Sequence, residues 1–396
     1  MQSLEATRER LLAALVPLSA ETVAFGQADG RFVASEVRSP RELPPFDNSS
    51  MDGYAVRAAD TAVTPALLKL VGRTAAGETS GPALAAGECV RVFTGAPLPA
   101  GADAVVMQED TQADPADSGR IIVREGVKPW ENVRFRGEDV ARDAVLVSAG
   151  TRLGPQHLAL LGSVGLDEVA VHRAPRVAIL ANGSELRPPG MELAEGQIFE
   201  SNTAMLAALV RRFGGEPIFT RCVADEAPLL REALLEAFAV ADLVITVGGA
   251  SVGDHDLVKP VFTALGGQLD LWRVALKPGK PFCFGRLEGE CLLGLPGNPV
   301  SAFVTAVLLV QSALRRLQGA ADCEPPATLG ILAAPFANPD RRRHFVRVVT
   351  DAAGRVRPAG PQASHRLGSL AAADGLVDVP PESTLAEGAV VRVLRW

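Results

Sequence analysis

At 396 residues the chain is longer than a single hydrophobic core usually serves, so two to four domains are expected. Apolar residues make up 47% and charged residues 21%, and the 38 glycines and 29 prolines are scattered, which points to turn-rich folded domains rather than a disordered tail. A net charge of −7, with only the short cluster Arg341-Arg342-Arg343 as a basic run, excludes nucleic acid as a partner.

Five cysteines without a C-x-x-C pair fit a reducing compartment, and Cys283 and Cys291 lie in apolar strand-like runs where a thiol acts as a small hydrophobe. The stretch Ser3 to Leu15 is charged and amphipathic and lacks a signal-peptide core. The most apolar run, Ala302 to Val310, is far shorter than a membrane span. A cytoplasmic protein with no membrane partner is expected.

In chain order, Leu4, Leu11, Leu12 and Leu15 recur at helical spacing and predict a first helix. Residues 1–45 and 138–170 read as this helix plus a bridging element. Between them, 46–137 reads as a small, mostly β domain, with strands at Ala66 to Val71, Cys89 to Phe93 and Ile121 to Val123. Strands and helices then alternate over 171–321. Val177 to Leu180, Pro217 to Thr220 and Leu243 to Val247 are strands, and Ser201 and Asp225 are expected N-caps of the intervening helices. This predicts an α/β domain with a doubly wound, mostly parallel sheet, closed by a helix from Pro299 to about Leu317. Residues 322–396 read as a small all-β domain.

In open α/β sheets, ligands sit beyond the carboxyl ends of the strands, and three loops there are unusual. Gly248-Gly249-Ala250-Ser251-Val252-Gly253-Asp254-His255-Asp256 carries three glycines that allow a bulky anion close to the backbone, and Asp256 is a plausible cap for the helix Leu257 to Leu265. A tight turn plus a cap would use the same residues. Lys277-Pro278-Gly279-Lys280-Pro281, between strands at Leu271 to Leu276 and Phe282 to Phe284, holds two cations on a turn stiffened by two prolines. Gly294-Leu295-Pro296-Gly297-Asn298-Pro299-Val300-Ser301 reads as a helix start with Asn298 at the cap and Pro299 in the first helical position. Its outward N–H groups, with Ser301 nearby, would receive an anion. His255 has no histidine or cysteine partner at metal spacing, and no Ser-His-Asp or Cys-His arrangement is apparent.

These loops resemble the signatures of the molybdopterin molybdenumtransferase family, related to the C-terminal enzymatic domain of gephyrin. The resemblance extends in register to Pro45-Phe46-Asp47-Asn48-Ser49-Ser50-Met51-Asp52-Gly53-Tyr54-Ala55-Val56-Arg57, to Thr94-Gly95-Ala96-Pro97-Leu98-Pro99, to Gly101 through Val106, to Asn132-Val133-Arg134 and Gly137-Glu138-Asp139, and to the tail Leu367 to Leu376. It implies an elongated homodimer of four-domain subunits with the active site near the subunit interface. It also implies adenylylated molybdopterin and molybdate as substrates, Mg²⁺ as cofactor, and AMP released as molybdenum cofactor forms. The family's functional positions match Asp52, Thr94, Glu185, Asp225, Asp256, Lys277, Pro296 and Pro299. Two places depart from the pattern. Arg273 stands where lysine is common, offering a planar fork in place of a point charge, and Ala181-Asn182-Gly183-Ser184-Glu185-Leu186 carries Asn182 and Ser184 where threonine and aspartate are frequent.

On this reading Lys277, Lys280 and Arg273 hold molybdate or phosphate, and Ser251, Pro296, Asn298, Pro299 and Ser301 join Lys277 and Lys280 as binding residues. Asp225, Asp256 and Glu185 organise Mg²⁺, because a carboxylate about 4 Å from a phosphate charge is repelled by roughly 4 kcal/mol without a bridging cation. An adenylylating protein is a further candidate partner. Two alternatives are the preceding adenylylation step, which needs only the central domain, and a scaffolding role, for which no long linker is present.

Overall fold

The computed structural model describes residues 1–249 and 257–396. The central domain follows from three strands with almost no polar residue: β1 (Arg176–Asn182), β3 (Leu243–Val247) and β6 (Glu290–Leu295). Side chains alternate across a strand, so an apolar run serves two cores at once. Val177, Ile179 and Ala181 of β1 bury into one core, while Ala178 and Leu180 bury into the other. With β2 (Glu216–Val223), β4 (Gln268–Arg273) and β5 (Pro281–Leu287), these strands form a six-stranded sheet of order β2-β1-β3-β6-β5-β4. The first three pairings are parallel and the last two antiparallel.

Helices α1 (Asn202–Arg212) and α4 (Pro299–Leu317) cover one face, and α2 (Ala227–Val240) and α3 (Val258–Ala264) the other. Burying each large aliphatic side chain contributes about 1.5–3 kcal/mol. Helix α4 has the length and apolar character of a membrane span, but 89% of that stretch is buried inside the domain, so core packing accounts for it. Its middle, Ala306–Val310, has π-helical geometry. The N-terminal helix, Leu4–Ala14, which the sequence groups with the bridging element, sends Leu4 and Leu11 into this same core.

Other sheets flank the domain. Ala20–Ala24 pairs with Glu168–His172, and Val37–Arg38 pairs with Val145–Val147. A six-stranded sheet occupies 53–123. In the C-terminal region, strands Ala327–Leu332, Arg343–Thr350, Arg355–Pro358, Gly375–Val379 and Val390–Leu394 close on themselves, because Gly375–Val379 pairs with both Arg343–Thr350 and Val390–Leu394. This barrel also carries a short helix, Leu367–Ala371, which an all-β reading does not foresee. Arg347, fully buried, bonds Ser369 Oγ and the carbonyls of Pro361 and Ala363, fixing the loop before that helix.

Three local expectations need correction. Ser201 does not cap α1; Glu200 does, its Oε1 accepting from the N–H groups of Asn202 (2.6 Å) and Thr203 (2.9 Å). Asp225 does not cap α2, which begins after Glu226 with no side-chain cap, because its carboxylate is bonded elsewhere. The strand expected over Leu271 to Leu276 is two strands: β4 ends at Arg273, and Leu276–Lys277 joins the C-terminal barrel beside Arg343 and His344.

Candidate active site

A cleft of about 550 Å³ opens at the carboxyl ends of β1, β3 and β6. Asn182, Gly183 and Glu185 follow β1, Gly248 and Gly249 follow β3, and Pro296 to Pro299 follow β6. Close approach of these loops needs Gly248. Its φ is +89°, and a Cβ there would lie 2.3 Å from the carbonyl oxygen of Asn182.

Asp225 reaches this cleft from the end of β2. Its Oδ1 accepts from Asn182 Nδ2 at 2.6 Å and its Oδ2 from the Ser184 N–H at 3.0 Å, while its own N–H donates to Ser184 Oγ at 2.9 Å. The two departures from the family pattern therefore hold this carboxylate in place. Glu185 lines the same wall.

Opposite stands the start of α4, where Asn298 caps the helix by accepting from the Val300 N–H (3.2 Å) and Pro299 fills the first helical position. Ser301 is buried at the cleft wall. Sequence reasoning missed Asn202, a lining residue whose Nδ2 donates to the Gly297 carbonyl (2.9 Å). The amide oxygens of Asn182 and Asn202 are both buried without a hydrogen-bond partner among the described residues. Unpaired buried acceptors are costly and mark a place for a donor or a cation. Only the non-local fold reveals them.

Among the described residues no three His, Cys, Asp or Glu side chains form a metal cluster. The cleft nevertheless offers the carboxylates of Asp225 and Glu185 and the free Asn182 oxygen, all hard ligands. Mg²⁺ commonly takes one or two carboxylates from the protein and fills its shell with water and phosphate. Asp256 and Ser251 lie outside the described residues.

Asp52 and Thr94 sit together in the small β domain because Gly53 pairs with Val92 across antiparallel strands. Gly53 is obligatory there, since a Cβ would fall 1.9 Å from the Val106 carbonyl oxygen. Asp52 Oδ1 accepts from the Thr94 N–H (2.8 Å) and hydroxyl (2.9 Å). These bonds, with a smaller effect from Arg91, hold the Asp52 carboxyl below the usual range. Neither residue is among those lining the cleft.

The cationic turn also stands apart. Pro281 lines the cleft, whereas Lys277, Lys280 and Arg273 are not among its described lining residues, and Lys280 and Arg273 are exposed. Lys277 faces the C-terminal barrel, its Nζ 3.6 Å from Asp340 Oδ2. Beside it, His344 is buried, with no partner for Nε2 among the described residues. Burial, with Lys277 and Arg347 adding to it, pushes the imidazole from 6.5 down to about 4.

This shift sets a pH dependence. Between about pH 6.5 and pH 4 the unfolded chain binds a proton that the folded chain refuses, so stability is lost as pH falls through that window. About 2 kcal/mol should disappear between pH 7 and pH 5 by linkage. Urea titrations of wild type and His344→Gln should show a flatter pH profile in the variant. Equal profiles would mean that His344 titrates normally.

A multidomain α/β protein with a hard-oxygen cleft facing a helix N-terminus at the carboxyl ends of its strands belongs to the class that handles nucleotide or phosphate ligands at sheet ends. Comparison narrows the class. Residues 2–165 match the MoeA N-terminal region (domain I and II), 178–316 the probable molybdopterin binding domain, and 330–396 the MoeA C-terminal region (domain IV). The chain is 39% identical over 372 residues to molybdopterin molybdenumtransferase 2 of Mycobacterium tuberculosis (strain ATCC 25618 / H37Rv), covering 91% of each. It is 37% identical to the molybdopterin molybdenumtransferase of Haemophilus influenzae, covering 92% of this chain and 91% of the relative. A crystal structure of the molybdopterin biosynthesis moeA protein from Pyrococcus horikoshii superposes with a TM-score of 0.87 at 30% identity over all of both chains. The chain belongs to the molybdopterin molybdenumtransferase family.

Proposed function

We propose that this chain transfers molybdenum from molybdate into adenylylated molybdopterin and releases AMP. One observation carries this reading furthest. Asp225, Glu185 and the Asn182 oxygen, which has no partner among the described residues, face the capped N-terminus of α4 across one cleft, in a chain matched nearly end to end by transferases of that name. A pyrophosphate link would lie with its anionic oxygens toward the helix N-terminus, where unpaired N–H groups and the helix dipole favour negative charge. Asp225, Glu185 and Asn182 would hold Mg²⁺, which supplies charge neutralisation for the departing phosphate when bound. Lys277, Lys280 and Arg273 would gather molybdate at the turn leading to Pro281.

Asp52 and Thr94, which do not line the cleft of their own chain, are supplied in this reading to the site of a second subunit in a homodimer. An adenylylating protein would deliver the substrate. The five cysteines, without a C-x-x-C pair, belong to the same reading of a cytoplasmic, reducing setting.

Purified protein with adenylylated molybdopterin should release AMP only when molybdate and Mg²⁺ are both added. AMP release independent of molybdate, or conversion of molybdopterin and ATP instead, would overturn the assignment in favour of a neighbouring step.

A further inference from the structure

The turn at Lys277 meets a carboxylate from another domain, and that carboxylate is unusually constrained. Asp340 Oδ2 lies 3.6 Å from Lys277 Nζ and 2.9 Å from Arg342 Nη2, while Oδ1 accepts from Arg342 Nε and the Arg342 N–H, each at 3.1 Å. The loop beneath is rigid. Buried Asn338 bonds the carbonyls of Arg342 (2.8 Å), Val379 (3.1 Å) and Pro380 (2.9 Å), and its Oδ1 accepts from the Asp340 N–H (3.2 Å). Arg342 and, at smaller weight, Lys277 hold the Asp340 carboxyl far below the usual range, so it is ionised at any physiological pH.

The side chains of Lys277, Asp340 and Arg342 are 38%, 26% and 29% exposed, so a small oxyanion can reach them from solvent. His344, the neighbour of Lys277 in register, is neutral at pH 7 and adds no charge. The local sum is two cations and one fixed anion. Any oxyanion arriving at Lys277 therefore meets a carboxylate already seated on the same donors, and like charges at that distance repel.

We propose that Asp340 sets the oxyanion affinity of the Lys277 turn by acting as an internal competing anion supplied by the C-terminal barrel. This rests on the reading that Lys277 receives an oxyanion. It makes the C-terminal barrel part of the substrate site rather than a distant appendage. Pairing of the strand Leu276–Lys277 with that barrel is what brings Lys277 beside it.

Removing the Asp340 charge should improve binding, which loss of structure does not do. Binding of inorganic molybdate is measured by isothermal titration calorimetry at fixed ionic strength on the full chain. The variants are Asp340→Asn, Asp340→Glu, Lys277→Ala and the Asp340→Asn/Lys277→Ala double. Asp340→Asn should bind about tenfold more tightly, a modest gain because solvent screens partly exposed charges. Asp340→Glu should stay near wild type. In the Lys277→Ala background most of the gain should vanish, as coupled neighbours require. Should Asp340→Asn fail to fold, Asp340→Ser removes the same charge and is read in its place. Unchanged or weaker binding in the charge-removing variants, with Lys277→Ala still weakened, overturns the proposal. Unaltered binding in Lys277→Ala instead overturns the underlying reading of the turn.

Discussion

Lys277→Ala is expected to lose roughly 10- to 150-fold in activity, because a charge-assisted hydrogen bond to a phosphate or molybdate oxygen contributes on the order of 1.5–3 kcal/mol. Lys280→Met and Arg273→Lys should lose far less. Both wild-type side chains project into solvent, and lysine at 273 restores the residue common in the family. Truncating Lys277 leaves Asp340 bonded to Arg342, so the barrel loop should stay intact. Activity is read as AMP released at saturating molybdate, with circular dichroism checking the fold. Retention of more than about half the activity on that scale would make the turn structural and misplace the anion site.

Asp225→Asn should be more damaging, with activity falling on the order of 100-fold or more and the Mg²⁺ concentration for half-activity rising about 10- to 100-fold. The carboxylate accepts from Asn182 Nδ2 on one oxygen and from the Ser184 N–H on the other. An amide at 225 must turn its own NH₂ toward one of these donors, so the cleft loses a charge and sets two donors face to face. A Mg²⁺ titration of the activity separates this from simple unfolding. The same variant tests the shared site. Mixed with Asp52→Ala, it should regain activity in mixed dimers if Asp52 serves the partner's cleft. Proven mixed dimers without any recovery would place Asp52 outside that cleft.

Local chemistry was readable where it was self-contained. Asn298 and Pro299 start α4 as their adjacent types require, since the cap bond spans two residues. The apolar runs of β1 and β3 announced a sheet covered on both faces for the same reason: each residue's own preference agreed with its final place. The caps expected at Ser201 and Asp225 failed because a competing partner decided them. The Glu200 carboxylate accepts from the open N–H groups of α1, and Asp225 is claimed across 43 residues by Asn182. The turn after Arg273 left the central sheet because Leu276 and Lys277 found a neighbour in Arg343 and His344.

By itself, then, the sequence determined the α/β alternation, the start of α4 and which residue types could meet an anion or a hard cation, because periodicity, capping and side-chain chemistry act within a few residues. Tertiary structure alone decided that Asp225, Asn182 and Asn202 share one cleft, that Asp52 answers to Thr94, and that Lys277 is matched by Asp340 of the C-terminal barrel. Those pairings cross 20 to 63 residues of chain. They depend on where whole strands pack, which no local preference encodes.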